Sequence, residues 1–279
     1  MNVEQIALKD IPTEVMEGIM LDIKPYITPI ILVSENNGKI SAECIGTGTF
    51  VESNGKYGIL TAHHVVHNSR FNSCSSIGLC IKDYANPYSI KREAIQIIDV
   101  GVPITESKGP DLSVMLLDNI FASQIKVSMS FWNLNHHSQS MESLKDFTIK
   151  GACSLFGFPE ELIETTIEKS KNKETLTPIG LSGLIGIDKY WRDSEFDFVI
   201  VSVSYDEQSN SPKSFGGVSG AGLWHFDLIR DVEFEMKHTR PLLIGLAFYQ
   251  SPRENDLRYL TCHGIESIYK NVVNALDSL

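Results

Sequence analysis

Apolar residues in this chain alternate with polar ones far more often than they recur at helical spacing. "PIILVSE", "ISAECIGTGTFVES", "YGILTA", "SIGLCI", "YSIKREAIQIIDVG", "DLSVMLL", "FTIKGACSLFG", "ELIETTIEK", "LTPIGLSGLIGI", "FDFVIVSVS" and "LLIGLAFYQ" are rich in Val, Ile, Phe and Thr and are punctuated by Gly, Asn, Pro or Ser. That pattern predicts short strands. "ENNGK" and "SNGKY" both contain Asn-Gly, a hairpin signal because a tight two-residue turn needs positive φ at both positions. Helical periodicity is convincing only in "TEVMEGIM" and "GIESIYKNVVNAL", near the two ends. "NLNHHSQSMESLKD", from Asn133 to Asp146, is polar and without period. It reads as a connector between two halves. The pattern therefore predicts an all-β fold of two six-stranded antiparallel β-barrels, over 26–132 and 147–262. An N-terminal extension over 1–25 carries a short helix, and a C-terminal helix covers 263–279.

Composition narrows this only a little. At 279 residues and 42% hydrophobic, the chain is an ordinary globular sequence able to bury a substantial core. No apolar run approaches the roughly 18–20 residues that span a bilayer. The longest, "YITPIILV", reads as a buried strand. The first residues lack a basic segment followed by an apolar one, so no secretory signal is expected. A formal net charge of −11 disfavours nucleic-acid binding, which relies on Lys and Arg at phosphates. Cys44, Cys74, Cys80, Cys153 and Cys262 make an odd set without framework spacing. Reduced thiols in a cytoplasmic protein are expected, with no membrane partner.

Three segments carry candidate chemistry. "GTGTFVESNGKYGILTAHHVV" delivers two histidines after a hairpin, "GPDLSVMLLD" opens an apolar strand with an aspartate, and "SFGGVSGAGLW" surrounds Ser219 with glycines. Taken singly they are a structural histidine, a strand-start acid and a tight turn. Together they hold the parts that a serine nucleophile needs. The hydroxyl requires a base within hydrogen-bond reach, and the base requires a carboxylate to fix its tautomer and stabilise the imidazolium. Glycine backbone beside the serine lets two N–H groups face a tetrahedral oxyanion.

On "TAHH", "DLSVMLL" and "GVSG", in the order His, Asp, Ser, the chain resembles the trypsin-like (chymotrypsin-fold) serine peptidases from about Ile27 to Tyr249. The resemblance implies a serine endopeptidase that cleaves polypeptides through an acyl-enzyme and needs no cofactor. It implies His64 as general acid and base, with His63 a neighbour, because the family's histidine is the fourth residue of its Thr-Ala-x-His motif. It implies Asp111 as the orienting carboxylate, with Asp118 and Asp83 as fallbacks, and Ser219 as the nucleophile. The oxyanion hole falls to the backbone N–H groups of Gly217 and Ser219.

The departures are informative. Val65 stands where secreted members often have a disulfide-bonded cysteine, and Val218 where zymogen-activated members have an aspartate. Both look more like the bacterial intracellular, heat-shock-type branch, with no proteolytic maturation. An always-open peptidase in the cytoplasm endangers its host, which suggests gating by a regulatory protein partner, as in a defence or stress system. In this family the residue six before the nucleophile often sits at the base of the primary substrate pocket. Here that is Lys213, with Tyr249 and Gln250 near the mouth, and a lysine there would favour acidic or polar side chains. Two competing readings are a catalytically silent binding module of the same fold and a zinc site among His63, His64, His67, His136 and His137. The second is disfavoured because no carboxylate or cysteine stands at ligand spacing in the sequence.

Overall fold

The structure, a computed structural model, describes residues 10–36, 39–81, 87–105, 109–142, 152–168, 173–204, 212–230, 236–254 and 257–279. Its first half contains β1 (Ile27–Asn36), β2 (Lys39–Ser53), β3 (Lys56–Thr61), β4 (Ser76–Cys80), β5 (Pro87–Lys91), β6 (Gln96–Gly101), β7 (Leu112–Leu117) and the two-residue β8 (Trp132–Asn133). The Asn-Gly at 54–55 turns β2 into β3, with φ of 48° at Asn54 and 77° at Gly55. This is the left-handed pair that the sequence signals. The other Asn-Gly lies outside the described residues, between paired Asn36 and Lys39.

Among the described residues, 26–132 holds more strands than the six expected. Seven strands run antiparallel in the order β5-β4-β1-β2-β3-β7-β6, and β8 joins β2 in parallel. The cause lies in "YSIKREAIQIIDVG", which reads as one strand. A 3-10 turn at Arg92–Ala94 splits it into β5 and β6, which occupy opposite ends of the strand path. Part of the polar connector is helical, over Leu134–Glu142, where the sequence reads without a helical period. Asn133 Oδ1 accepts the His136 N–H at 2.8 Å, a side-chain cap of the kind that starts helices. Leu134, His137 and Met141 are buried on one face, and His137 stacks on Trp132 at 3.8 Å. Burial pushes the His137 imidazole down to about 4.

In the second half, β9 (Ala152–Gly157), β12 (Leu181–Asp193), β13 (Phe196–Ser204), β14 (Gly222–Phe226), β17 (Leu242–Gln250) and β18 (Leu257–His263) close into the expected six-stranded antiparallel barrel. Two hairpins stand outside the barrel: β10 (Ile163–Glu168) with β11 (Lys173–Pro178), which packs on β2, and β15 (Leu228–Arg230) with β16 (Met236–His238), which packs on the N-terminal helix. The chain is therefore mostly β with few helices.

One apolar core crosses between the halves. The N-terminal helix Thr13–Ile23 inserts Val15, Ile19 and Ile23 into it, and Trp132 meets Trp224 edge to face at 5.2 Å. Trp132 Nε1–H donates to the Tyr269 hydroxyl at 2.7 Å, which donates to the Leu243 carbonyl at 2.8 Å. Burying both polar tips with partners lets these rings contribute their full apolar area, about 4–6 kcal/mol each as an upper bound. This seam fixes the position of one half against the other.

Candidate active site

The Thr61 hydroxyl at the end of β3 donates to the Thr47 carbonyl at 2.9 Å, and the chain then turns at Ala62 into the short helix His63–Val66. Pairing of Thr61 with Ser113 brings the start of β7 alongside, so Asp111 arrives beside His64. Asp111 holds His64 twice. Its Oδ2 lies 2.7 Å from Nδ1 of the ring, and its Oδ1 accepts the His64 main-chain N–H at 2.9 Å. A carboxylate only accepts, so the ring proton sits on Nδ1 and leaves Nε2 as the basic position. Asp111 is 1% exposed, whereas the His64 side chain is 47% exposed. Burial alone would raise the Asp111 carboxyl, but the His64 hydrogen bonds and charge outweigh it and hold the pKa below the ordinary value.

Asp111 is steadied from the other half. Its N–H donates at 3.0 Å to Nε2 of His263, the last residue of β18. His263 is fully buried between Phe248 and Phe198, with ring centroids at 4.6 and 5.4 Å. Burial pushes its pKa down to about 4, against the upward pull of Asp111, so it is neutral with its proton on Nδ1. Among the described residues that buried Nδ1 has no hydrogen-bond partner. Sequence reading missed His263 altogether. Its only signal is a histidine closing "LRYLTCH", an alternating segment that is easily passed over.

Ser219 sits on a glycine turn gripped by neighbouring strands. Its carbonyl accepts the Thr47 N–H at 2.9 Å, and the Gly220 N–H donates to the Ala247 carbonyl at 2.7 Å. Gly217 and Gly220 adopt φ of 87° and 94°. A Cβ at Gly217 would meet the Phe158 carbonyl oxygen at 2.5 Å, and one at Gly220 would meet the Thr47 carbonyl oxygen at 1.9 Å. Glycine is required at both by conformation and by space. The Gly217 carbonyl accepts from the Thr47 hydroxyl at 2.8 Å, which fixes the direction of that peptide. Among the described residues, neither the Gly217 nor the Ser219 N–H donates to another protein group.

His64, Asp111, Gly217 and Ser219 line one cleft of about 730 Å³, together with Glu160, Phe215, Tyr249 and Gln250. The geometry brings the three parts of a nucleophilic site together but leaves one link open. The Ser219 hydroxyl donates to the Phe248 carbonyl at 3.4 Å, and no hydrogen bond joins it to His64.

Other candidates are placed differently. Lys213 is exposed and does not line the cleft. Its N–H is held at 2.8 Å by Glu161, so a lysine at the pocket base is not what the structure shows. Gln250 is in the wall, its Oε1 accepting from the Phe215 N–H at 2.8 Å and from Arg258, and its Nε2 donating to Ser214 at 3.1 Å. Asp118 caps the helix Asn119–Ile125 by accepting the Ile120 N–H at 2.7 Å, away from His64. Asp83 lies outside the described residues. All five cysteines are buried and none is in a disulfide among the described residues, and burial pushes Cys44, Cys80 and Cys153 up to about 12, which makes them inert thiols. Among the described residues no helix is long and apolar enough to cross a membrane.

No family model matches this chain, and no curated protein matches it significantly. Solved structures do match. The HtrA-type protease AlgW with a decapeptide aligns at 11% identity and TM-score 0.47, over 94% of this chain and 67% of that one. A substituted form of AlgW with the decapeptide aligns at 12% identity and TM-score 0.43, over 88% of this chain and 62% of that one, so this chain spans less than two thirds of that protein. A chain from a study of the folding and binding of the Sesbania mosaic virus VPg protein aligns at 11% identity and TM-score 0.44, over 88% and 89%. Likeness at this level is general, and the site's chemistry rests on its own geometry.

Proposed function

We propose that this protein is a serine endopeptidase acting through Ser219, His64 and Asp111. One observation carries the reading. A buried carboxylate orients an exposed imidazole, and Ser219 lines the same cleft beside the N–H groups of Gly217 and Ser219, which are unpaired among the described residues. The Ser219 hydroxyl turns from Phe248 toward His64 Nε2, which takes its proton as the oxygen attacks a peptide carbonyl. The N–H groups of Gly217 and Ser219 bind the oxyanion, and the imidazolium protonates the leaving amine. Water then hydrolyses the acyl-enzyme by the same route in reverse. Polypeptide is the substrate class, and the polar wall at Gln250 sets the preference next to the scissile bond.

The finer parts belong to the same proposal. Val218 is buried in place of an acidic residue, which supports activity without N-terminal maturation and a heat-shock-type affiliation. Five buried cysteines outside any disulfide support a reducing, cytoplasmic setting. A regulatory partner would act where the serine is held off, by favouring its release from Phe248. The competing reading, a silent module that binds without cutting, takes its support from that same 3.4 Å contact.

The test is identification of cleavage sites in a peptide library treated with wild-type protein and with Ser219→Ala. Cleavage at defined sites by the wild type alone is expected. Identical peptide sets from the two would reject the endopeptidase reading and leave the silent module.

A further inference from the structure

Behind the His64–Asp111 pair lies a second polar cluster that the proposed hydrolytic chemistry does not use. His63 and His67 occupy i and i+4 at the two ends of the turn that carries His64, so their side chains share a face. Their rings stack at a centroid distance of 4.0 Å and an interplanar angle of 16°. The fold supplies the carboxylate that the sequence lacked at ligand spacing. Asp99, on β6, places Oδ1 2.7 Å from His67 Nε2 and 4.0 Å from His63 Nε2. The ligand atoms of all three lie within 4.8 Å of one another.

We propose that His63, His67 and Asp99 form a binding site for zinc or a similar borderline transition-metal ion, which ties the helix carrying His64 to the sheet carrying Asp111. Zinc holds imidazole nitrogens and carboxylate oxygens at about 2.0–2.2 Å, so tetrahedral ligand atoms sit roughly 3.3–3.5 Å apart. Reaching that arrangement opens the 2.7 Å contact and closes the 4.0 Å contact, each by well under about 1 Å. Side-chain rotation suffices. Two imidazoles select zinc, copper or nickel over calcium and magnesium, which want oxygen ligands. Water completes the fourth position. The Ser113 hydroxyl donates to Asp99 Oδ1 at 2.9 Å and steadies the carboxylate as an outer partner. His67 and Asp99 are 37% and 38% exposed, which leaves an entry path, while His63 at 14% anchors the inner side.

The site predicts binding whether or not the chain hydrolyses peptides. The full chain, stripped with a chelator, is dialysed against zinc and separately titrated with cobalt(II), whose visible absorption reports nitrogen and oxygen ligation. Wild type should retain about one equivalent of zinc, and zinc should raise its thermal midpoint by linkage. His67→Ala and Asp99→Asn should each weaken binding roughly tenfold or more, as loss of ligands requires. Asp99→Asn retains an acceptor for Ser113, which guards against misfolding, and circular dichroism checks both variants. His64→Ala should still bind zinc. Failure of the folded wild type to bind zinc would overturn the proposal and leave a hydrogen-bonded His–Asp pair. Loss of binding in His64→Ala with retention in His67→Ala would also overturn it, by placing the metal in the catalytic cleft.

Discussion

The two arms of the candidate triad are built differently. The acid–base arm lies within one sheet, where strand pairing sets Asp111 beside His64 and two hydrogen bonds of 2.7 and 2.9 Å lock them. The nucleophile arm reaches across from the barrel. Its backbone is fixed by Thr47 and Ala247, yet the Ser219 hydroxyl rests on Phe248. A rigid main chain with one free rotamer teaches where regulation can act. Moving one hydroxyl costs far less than rebuilding a sheet, and under the proposed mechanism it is the Ser219 side chain that must turn toward His64.

The largest expected effects remove one member of either arm. Ser219→Ala and His64→Ala should each lower kcat by about 10⁴-fold or more, since groups acting as a unit fail together, and Ser219→Ala should leave the thermal midpoint in place. Asp111→Asn should cost about 10⁴-fold by allowing the wrong tautomer. Steady-state kinetics on a cleaved peptide checks all three. A mild defect in Asp111→Asn would break the distinction between locked and free arms.

Gly217→Ala comes next. Its Cβ would strike the Phe158 carbonyl oxygen at 2.5 Å in a left-handed conformation. The turn must shift and misplace an oxyanion donor, which should lower kcat by roughly 10²–10³-fold with little change in KM. An equal rise in KM would assign the turn to substrate binding.

Smaller effects are expected at the seam. His263→Ala should lower kcat roughly 10- to 100-fold by loosening Asp111, and His263→Gln, which restores an acceptor, should recover much of it. His263 also makes stability fall in acid. Its ordinary pKa of 6.5 drops to about 4 in the fold, so between those values the unfolded chain binds the extra proton. Stability is retained in full above about 6.5, declines as pH falls toward 4, and loses on the order of 3 kcal/mol from this group. His137, lowered to about 4, acts with the same sign. Urea unfolding at pH 7 and pH 4.5 should show a shallower decline in His263→Gln than in wild type. Parallel declines would exclude His263 as a source.

Much of this was legible in the sequence, and the exceptions have physical causes. The strand alternation, the Asn-Gly turn at 54–55 and β9, β12, β13 and β17 of the closed barrel follow directly from pattern. β14 and β18 escaped the pattern. "GLWHF" is five buried residues running out of a glycine cluster, and "LRYLTCH" points charged and polar residues outward between its core positions. The helix at 134–142 hid because its buried face uses a histidine stacked on tryptophan in place of an aliphatic residue. Within the site, His64, Asp111, Gly217 and Ser219 carry local motifs and could be named. His263 and Asp99 could not, because each acquires its place only through sheet pairing with distant residues.

The most direct test of the central claim is labelling of the intact chain with a fluorophosphonate, followed by peptide mapping. The account predicts an adduct on Ser219 that is absent in Ser219→Ala and suppressed in His64→Ala. A folded wild type that stays unlabelled, or that is labelled at another residue, would contradict it.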